Sequence, residues 1–201
     1  MGRAARDVDF ACRCGQVKGA LTQITLSAGT HARCHCNDCR GAVMHLGEPD
    51  PRPDGVSYFQ TTPDRVRFDS GAENLAVLSL RAGSLLRWYA TCCGAPLFNT
   101  MGSPKFPFAS LYVSRARDTA PLGPVIADGF IDKGDGKQAH KGLAKMIWRM
   151  VCRTLAARLT GRWKHTPFFD VHTLKPVVRP TVLTPQDRAA LGLPEAAARR
   201  I

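Results

Sequence analysis

Acidic residues are scarce in this chain, and between Lys137 and His165 there are none. Sixteen Asp and Glu stand against twenty-eight Lys and Arg, for a formal net charge of +12. The acid-free stretch holds Lys137, Lys141, Lys145, Arg149, Arg153, Arg158, Arg162 and Lys164, eight of those twelve net charges. The remainder of the chain is therefore close to balanced. Long apolar runs are missing too. None approaches the ~20 residues of a membrane span, which excludes a transmembrane helix. Internal repeats and low-complexity tracts are absent, which excludes a solenoid and a disordered linker protein. Nothing in the opening residues resembles an export signal, and Arg6 stands where a myristoylation signal wants Ser or Thr. Reduced cysteines in a cytoplasmic protein are the expectation.

What the chain does have is cysteine. Seven of its eight cysteines fall in three tight groups: Cys12 and Cys14; Cys34, Cys36 and Cys39; Cys92 and Cys93. Core cysteines have no reason to cluster. Residues one apart rarely bridge each other, so metal binding is favoured over disulfides. Soft-metal binding is the expectation. A C-x-C-x-x-C run brings three thiolates from one turn onto a single cation, and three ligands leave one corner of a tetrahedron open. That corner is either kept for an exchangeable ligand or closed by His35 or a distant residue.

With 201 residues and 44% apolar content, the chain is long enough for one real core. Short β-branched and aromatic stretches predict strands at 16–25, 56–62, 65–68, 75–80, 85–91, 97–100 and 109–113. Residues 1–9 read as a loose polar leader, and 47–55, rich in proline and glycine, as a loop. Residues 116–136 read as a connector. In 137–163 the apolar positions recur at helical spacing, so an amphipathic helix is expected. Its stripe of Leu143, Ile147, Met150 and Val151 would be buried, and Lys141, Lys145, Arg149 and Arg153 would face solvent. A short polar helix is expected around 185–191.

The motifs Cys12-Arg13-Cys14-Gly15-Gln16-Val17, Cys34-His35-Cys36-Asn37-Asp38-Cys39-Arg40 and Cys93-Gly94-Ala95-Pro96-Leu97-Phe98 together resemble the glutathione-dependent formaldehyde-activating enzymes, a family that includes centromere protein V. The resemblance covers residues 10–115. It implies a β-tent of short antiparallel strands holding one or two zinc ions, with the C-terminal amphipathic helix added: a mainly β, α+β protein. It assigns Cys12, Cys14 and Cys93 to a structural zinc, and Cys34, Cys36 and Cys39 to a second zinc associated with glutathione. The usual C-x-x-C-G knuckle is broken here, with Ala90 in its first position. Cys92 becomes a substitute fourth ligand, although side chains of adjacent extended residues point to opposite faces. Cys92 is therefore expected to be displaced.

Function divides accordingly. One expectation is a carbon–sulfur lyase acting on an adduct of an aldehyde with glutathione or another small thiol. Arg40 would then hold a glutathione carboxylate or balance the anionic cluster. No catalytic acid or base can be named. The alternative is a non-catalytic, zinc-stabilised binding module. Residues 137–163 would then make a weak, salt-sensitive contact with an acidic surface. Nucleic acid is not the expected partner, because no DNA-binding motif or basic–aromatic interleaving is present.

Overall fold

The computed structural model describes residues 4–134 and 137–193. In chain order its strands are β1 (Arg6–Ala11), β2 (Lys18–Ile24), β3 (Thr30–Cys34), β4 (Val56–Thr61), β5 (Val66–Ser70), β6 (Leu75–Ser79), β7 (Leu86–Ala90), β8 (Pro96–Thr100), β9 (Ala109–Tyr112), β10 (Ala127–Asp132), β11 (Gln138–Lys141) and β12 (Thr181–Val182). The helices are α1 (Asn37–His45), α2 (Leu143–Leu159) and α3 (Pro185–Ala190). The fold is mainly β, as expected. Strands β1, β2 and β5 form a small antiparallel sheet. The others form one large sheet in the order β11-β10-β3-β4-β9-β8-β7-β6-β12. Only the β10–β3 and β12–β6 pairings are parallel.

The two sheets close on an aromatic core. Trp88 is fully buried, and its indole N–H donates to the Thr100 hydroxyl at 2.9 Å, which satisfies the one polar group it carries inside. Phe10 meets Phe98 edge-to-face at 5.0 Å, so the first strand is stapled to the large sheet through rings. Phe168 packs on Trp88 at 5.0 Å and on Phe98 at 5.4 Å. The proline-punctuated tail therefore returns to fill the centre of the molecule.

Four segments depart from the sequence reading. The 1–9 leader contains most of β1, where Val8 and Phe10 are buried between exposed Asp7 and Asp9. A period of two over so few residues is hard to see among charges. The cysteine run, read as a turn, also ends β3 and opens α1. Within the 116–136 connector lies β10, which adds to β3 in parallel; residues 135 and 136 fall outside the described part. Finally, 138–141 is a strand, and the helix begins only after Gly142.

Helix α2 also docks rotated from the expected orientation, with only part of the predicted stripe against the sheet. It lies against β10, β3 and β4, with Thr154 and Ala157 buried and Leu143, Met146 and Met150 half-buried. Ile147 and Val151, expected inside, are 44% and 45% exposed, and Trp148, Leu155 and Leu159 are more so. Arg149 and Arg153, expected in solvent, are half-buried, whereas Lys141 and Lys145 are exposed as expected. Apolar residues occupy two arcs of this helix, so its periodicity alone does not choose a face. The choice is made by Gly142, whose backbone is left-handed and sits so close to the Ile126 carbonyl that a Cβ would collide with it. That contact and the small Thr154 and Ala157 turn one arc onto the sheet.

Because Phe168 seals the aromatic core, Phe168→Ala is expected to cost about 3–5 kcal/mol in denaturant unfolding. A loss under about 1 kcal/mol would mean that the tail is not part of the core.

Candidate metal centres

The turn between β1 and β2 carries Cys12 and Cys14, and the turn between β7 and β8 carries Cys92 and Cys93. The four sulfur atoms lie within 4.8 Å of one another. Separations are 3.6 Å for Cys12–Cys14, 3.8 Å for Cys12–Cys92 and 3.3 Å for Cys14–Cys92. A tetrahedral ion with metal–sulfur bonds near 2.3 Å sets its ligands about 3.8 Å apart, so the set fits an ion of that kind. Backbone N–H groups support the sulfurs, with Val17 donating to Cys12 Sγ at 3.3 Å. Burial pushes the Cys93 thiol up, but backbone donation from Cys14 and Ala95 outweighs it and pulls the thiol down to about 6.

Both vicinal cysteines join this set, and Cys92 is not displaced. Residues 91–93 form a turn in which Gly94 N–H bonds to the Ala90 carbonyl at 2.8 Å. In a turn, consecutive side chains are not thrown to opposite faces as they are in a strand, so both sulfurs reach one point. Gly94, at φ 73°, then redirects the chain into β8.

The second set is Cys34, Cys36 and Cys39, whose sulfurs also lie within 4.8 Å of one another, with Cys34–Cys36 at 3.3 Å. Cys34 ends β3, Cys36 is the N-cap of α1, and Cys39 sits in the first turn of that helix. Cys36 Sγ accepts from Cys39 N–H at 3.4 Å. The positive end of the helix thus faces the sulfurs and favours thiolates. Among the described residues no His, Asp or Glu, and no further Cys, completes this set. His35 is turned away and bonds to Asp128 at 2.7 Å.

What surrounds the trio is unusual for a protein core. Arg87 on β7 is only 3% exposed, yet among the described residues no carboxylate pairs with it and its Nε has no partner. Its Nη1 donates to Asn99 Oδ1 at 3.4 Å, an atom that also accepts from the Tyr112 hydroxyl at 3.0 Å. Burial pulls the Arg87 pKa down, but Tyr112, Cys39 and Tyr58 more than reverse this, so it stays charged. Cys39 is held well below an ordinary thiol, first by hydrogen bonds from Cys34 and Cys36, with Arg87 adding to the effect. Tyr58, also buried, is pushed well above its ordinary value by burial and then by Cys39, and keeps its proton. A buried cation needs a counter-charge, and the sulfur cluster is the one beside it. Three thiolates on a divalent ion carry a net charge of about −1, which Arg87 would neutralise. The donor set and the orphan guanidinium both fit a bound metal.

Arg40, expected to balance the cluster or hold a carboxylate, instead makes a bidentate pair with Asp50 at 2.9 and 2.8 Å. Asp38 pairs with Arg81 at 2.7 Å. Sequence reading missed Arg87, Tyr58 and Asn99, because each is an ordinary strand residue until the sheet brings it to the sulfurs. The only sequence signal for Arg87 was a charge inside an apolar strand, Leu86-Arg87-Trp88. A partly open cavity of about 170 Å³ adjoins the trio, with Cys34, Cys39 and Tyr58 in its wall.

A sequence profile described as "Family of unknown function (DUF6151)" matches residues 4–179. No curated protein matches the chain. A structural-genomics crystal structure of a Rhodobacter sphaeroides protein is similar at 20% identity and a TM-score of 0.42, covering 58% of this chain and 96% of that one.

Metal analysis of protein purified without chelator is expected to give two ions per chain, with Cys92→Ser reducing this to one. Arg87→Met is expected to weaken binding at the three-sulfur set at least tenfold and to leave the four-sulfur set unchanged, as read by competition with a chromogenic chelator. Equal loss from both sets would show a folding defect in place of an electrostatic one.

Proposed function

The chain belongs to the Family of unknown function (DUF6151), and from its sulfur geometry we propose a zinc–thiolate protein with one closed structural centre and one open, thiol-binding centre. The observation that carries this reading is the three-sulfur set without a fourth protein ligand among the described residues, lying against a partly open cavity and a buried Arg87 that no carboxylate there pairs with. Zinc suits both sets because four thiolates, or three with an open position, are its common structural and reactive arrangements. The resemblance to glutathione-dependent formaldehyde-activating enzymes, carried by the three cysteine motifs, points to the same division.

Bound zinc would lower the pKa of a thiol taken into the open position. The chain's own groups do the rest. Arg87 compensates the anionic cluster, and its Nη1 is tethered by Asn99. Tyr58, which keeps its proton, offers a hydrogen bond within the cavity wall. The α1 N-terminus favours the anionic sulfurs. The reaction that suits this arrangement is reversible addition of a thiol to an aldehyde. The sulfur forms a bond to the carbonyl carbon, and the thiol proton ends on the carbonyl oxygen. Reversal breaks that carbon–sulfur bond, which is the sense of a carbon–sulfur lyase.

A second reading, a binding module, draws on α2. Its solvent side carries Lys145 together with exposed Trp148 and Leu159, with Lys141 just before it at the end of β11, a mixture suited to an acidic surface with some apolar character.

Cobalt substitution tests the first reading. Adding a small thiol is expected to raise the sulfur-to-cobalt charge-transfer absorption of the wild type, and Cys36→Ser should lose that response while keeping one tightly bound ion. An unchanged wild-type spectrum at saturating thiol would rule out an open centre.

A further inference from the structure

Resting on that open centre, we infer that its ligand is a compact, apolar thiol of about the bulk of a benzyl group, and not a charged tripeptide such as glutathione. The cavity beside Cys34 and Cys39 holds about 170 Å³. An engineered cavity of about 150 Å³ accommodates benzene, so the space inside this one takes a six-membered ring or a short branched chain, and any bulkier part of a ligand would lie outside it. Its floor is the sheet. Its far wall comes from Phe108, Phe130, Leu143 and Met146, all of which line it.

Two of those walls come from segments outside the region of family resemblance. Leu143 and Met146 belong to α2, and Phe130 to β10, so the C-terminal part of the chain sets the size of the space. Phe130 is held at φ 61°, a left-handed conformation that a bulky side chain rarely adopts, at the irregularity between Asp128 and Ile131. Its N–H bonds to His140 Nδ1 at 3.1 Å, and its ring stands edge-on to that imidazole at 5.0 Å. Such strain persists only where the surroundings impose it, and here the result is a ring in the wall of the cavity.

The lining, mostly apolar, favours an uncharged ligand. Arg33 is the one guanidinium in the lining, and Asp128 lies 4.0 Å from it. Arg87 is taken up by the sulfur cluster. The two carboxylates of a tripeptide would thus meet one cation, Arg33, already shared with Asp128, in an otherwise apolar space, which is costly. One polar need remains. Gln60 lines the cavity, and its Oε1 is buried with no donor. A ligand carrying a hydroxyl or N–H beside its ring would satisfy it.

The test uses metal-loaded full-length protein with cobalt in the three-sulfur centre. Benzyl mercaptan and glutathione are titrated in parallel, read by cobalt absorption and by calorimetry. The expected result is at least tenfold tighter binding of benzyl mercaptan. Ala127→Leu, which fills the cavity from a buried position on β10, is expected to weaken benzyl mercaptan at least tenfold with metal content unchanged. If that variant fails to fold, Leu143→Ala, which enlarges the cavity, is expected to admit a naphthyl thiol that the wild type rejects. Glutathione binding as tightly as benzyl mercaptan, or indifference to both cavity variants, would overturn the size assignment while leaving the open centre intact. If no thiol alters the cobalt spectrum, the open-centre reading fails. Toluene, a probe that needs no metal, then decides the cavity: broadening or shifts of aromatic and methionine methyl NMR signals support the apolar site, and unchanged signals overturn it.

Discussion

A buried guanidinium that has no carboxylate is the constraint on which the centre of this protein depends. Arg87 lies on an interior strand between buried Leu86 and fully buried Trp88, where an unpaired charge would be strongly unfavourable. Its stability requires a negative partner fixed at the same depth. The cluster of Cys34, Cys36 and Cys39 is that partner, and Tyr58 and Tyr112 complete the polar island around it. The strand order follows suit: β3 brings Cys34, β4 brings Tyr58, β9 brings Tyr112 and β7 brings Arg87 into one neighbourhood. A metal held by the three sulfurs and Arg87 would therefore be coupled, each making the burial of the other tolerable.

The two sulfur sets divide labour by their surroundings. The four-cysteine set bridges two turns, one from each sheet, close to the surface, so it works as a clamp between layers. Such a clamp adds to the apolar core shared by the two sheets, in which Phe10 and Phe68 meet Phe98. The three-cysteine set is anchored at a strand end and a helix N-terminus, and it opens toward a cavity closed by α2 and β10. A clamp needs all four ligands; a reactive centre needs one position spare.

Much of the site was legible from sequence because metal ligands announce themselves by local spacing. The three cysteine groups stand out by residues a few positions apart, and the joining of Cys12 and Cys14 with Cys93 was implied by the resemblance. The strands of 56–61, 75–79 and 96–100 were equally plain, since β-branched and aromatic residues sit between turn residues there. The rest depended on long-range contacts that no local pattern carries. Arg87 acquires meaning only when β7 lies near α1, and β10 pairs in parallel with a strand about a hundred residues earlier. The two apolar arcs of α2 gave the right element and only part of the docked face, because docking was decided by Gly142 and the bulged β10 beneath it. The rule that adjacent cysteines diverge failed at Cys92 and Cys93 because it assumed a strand where the chain turns.

The central claim, one closed and one open thiolate centre in the same chain, is tested most directly by cadmium NMR of the fully loaded protein. The account predicts two resonances of equal area, of which one moves toward the other when a small thiol is added and the second stays fixed. A single resonance, or two that both ignore the thiol, would contradict it.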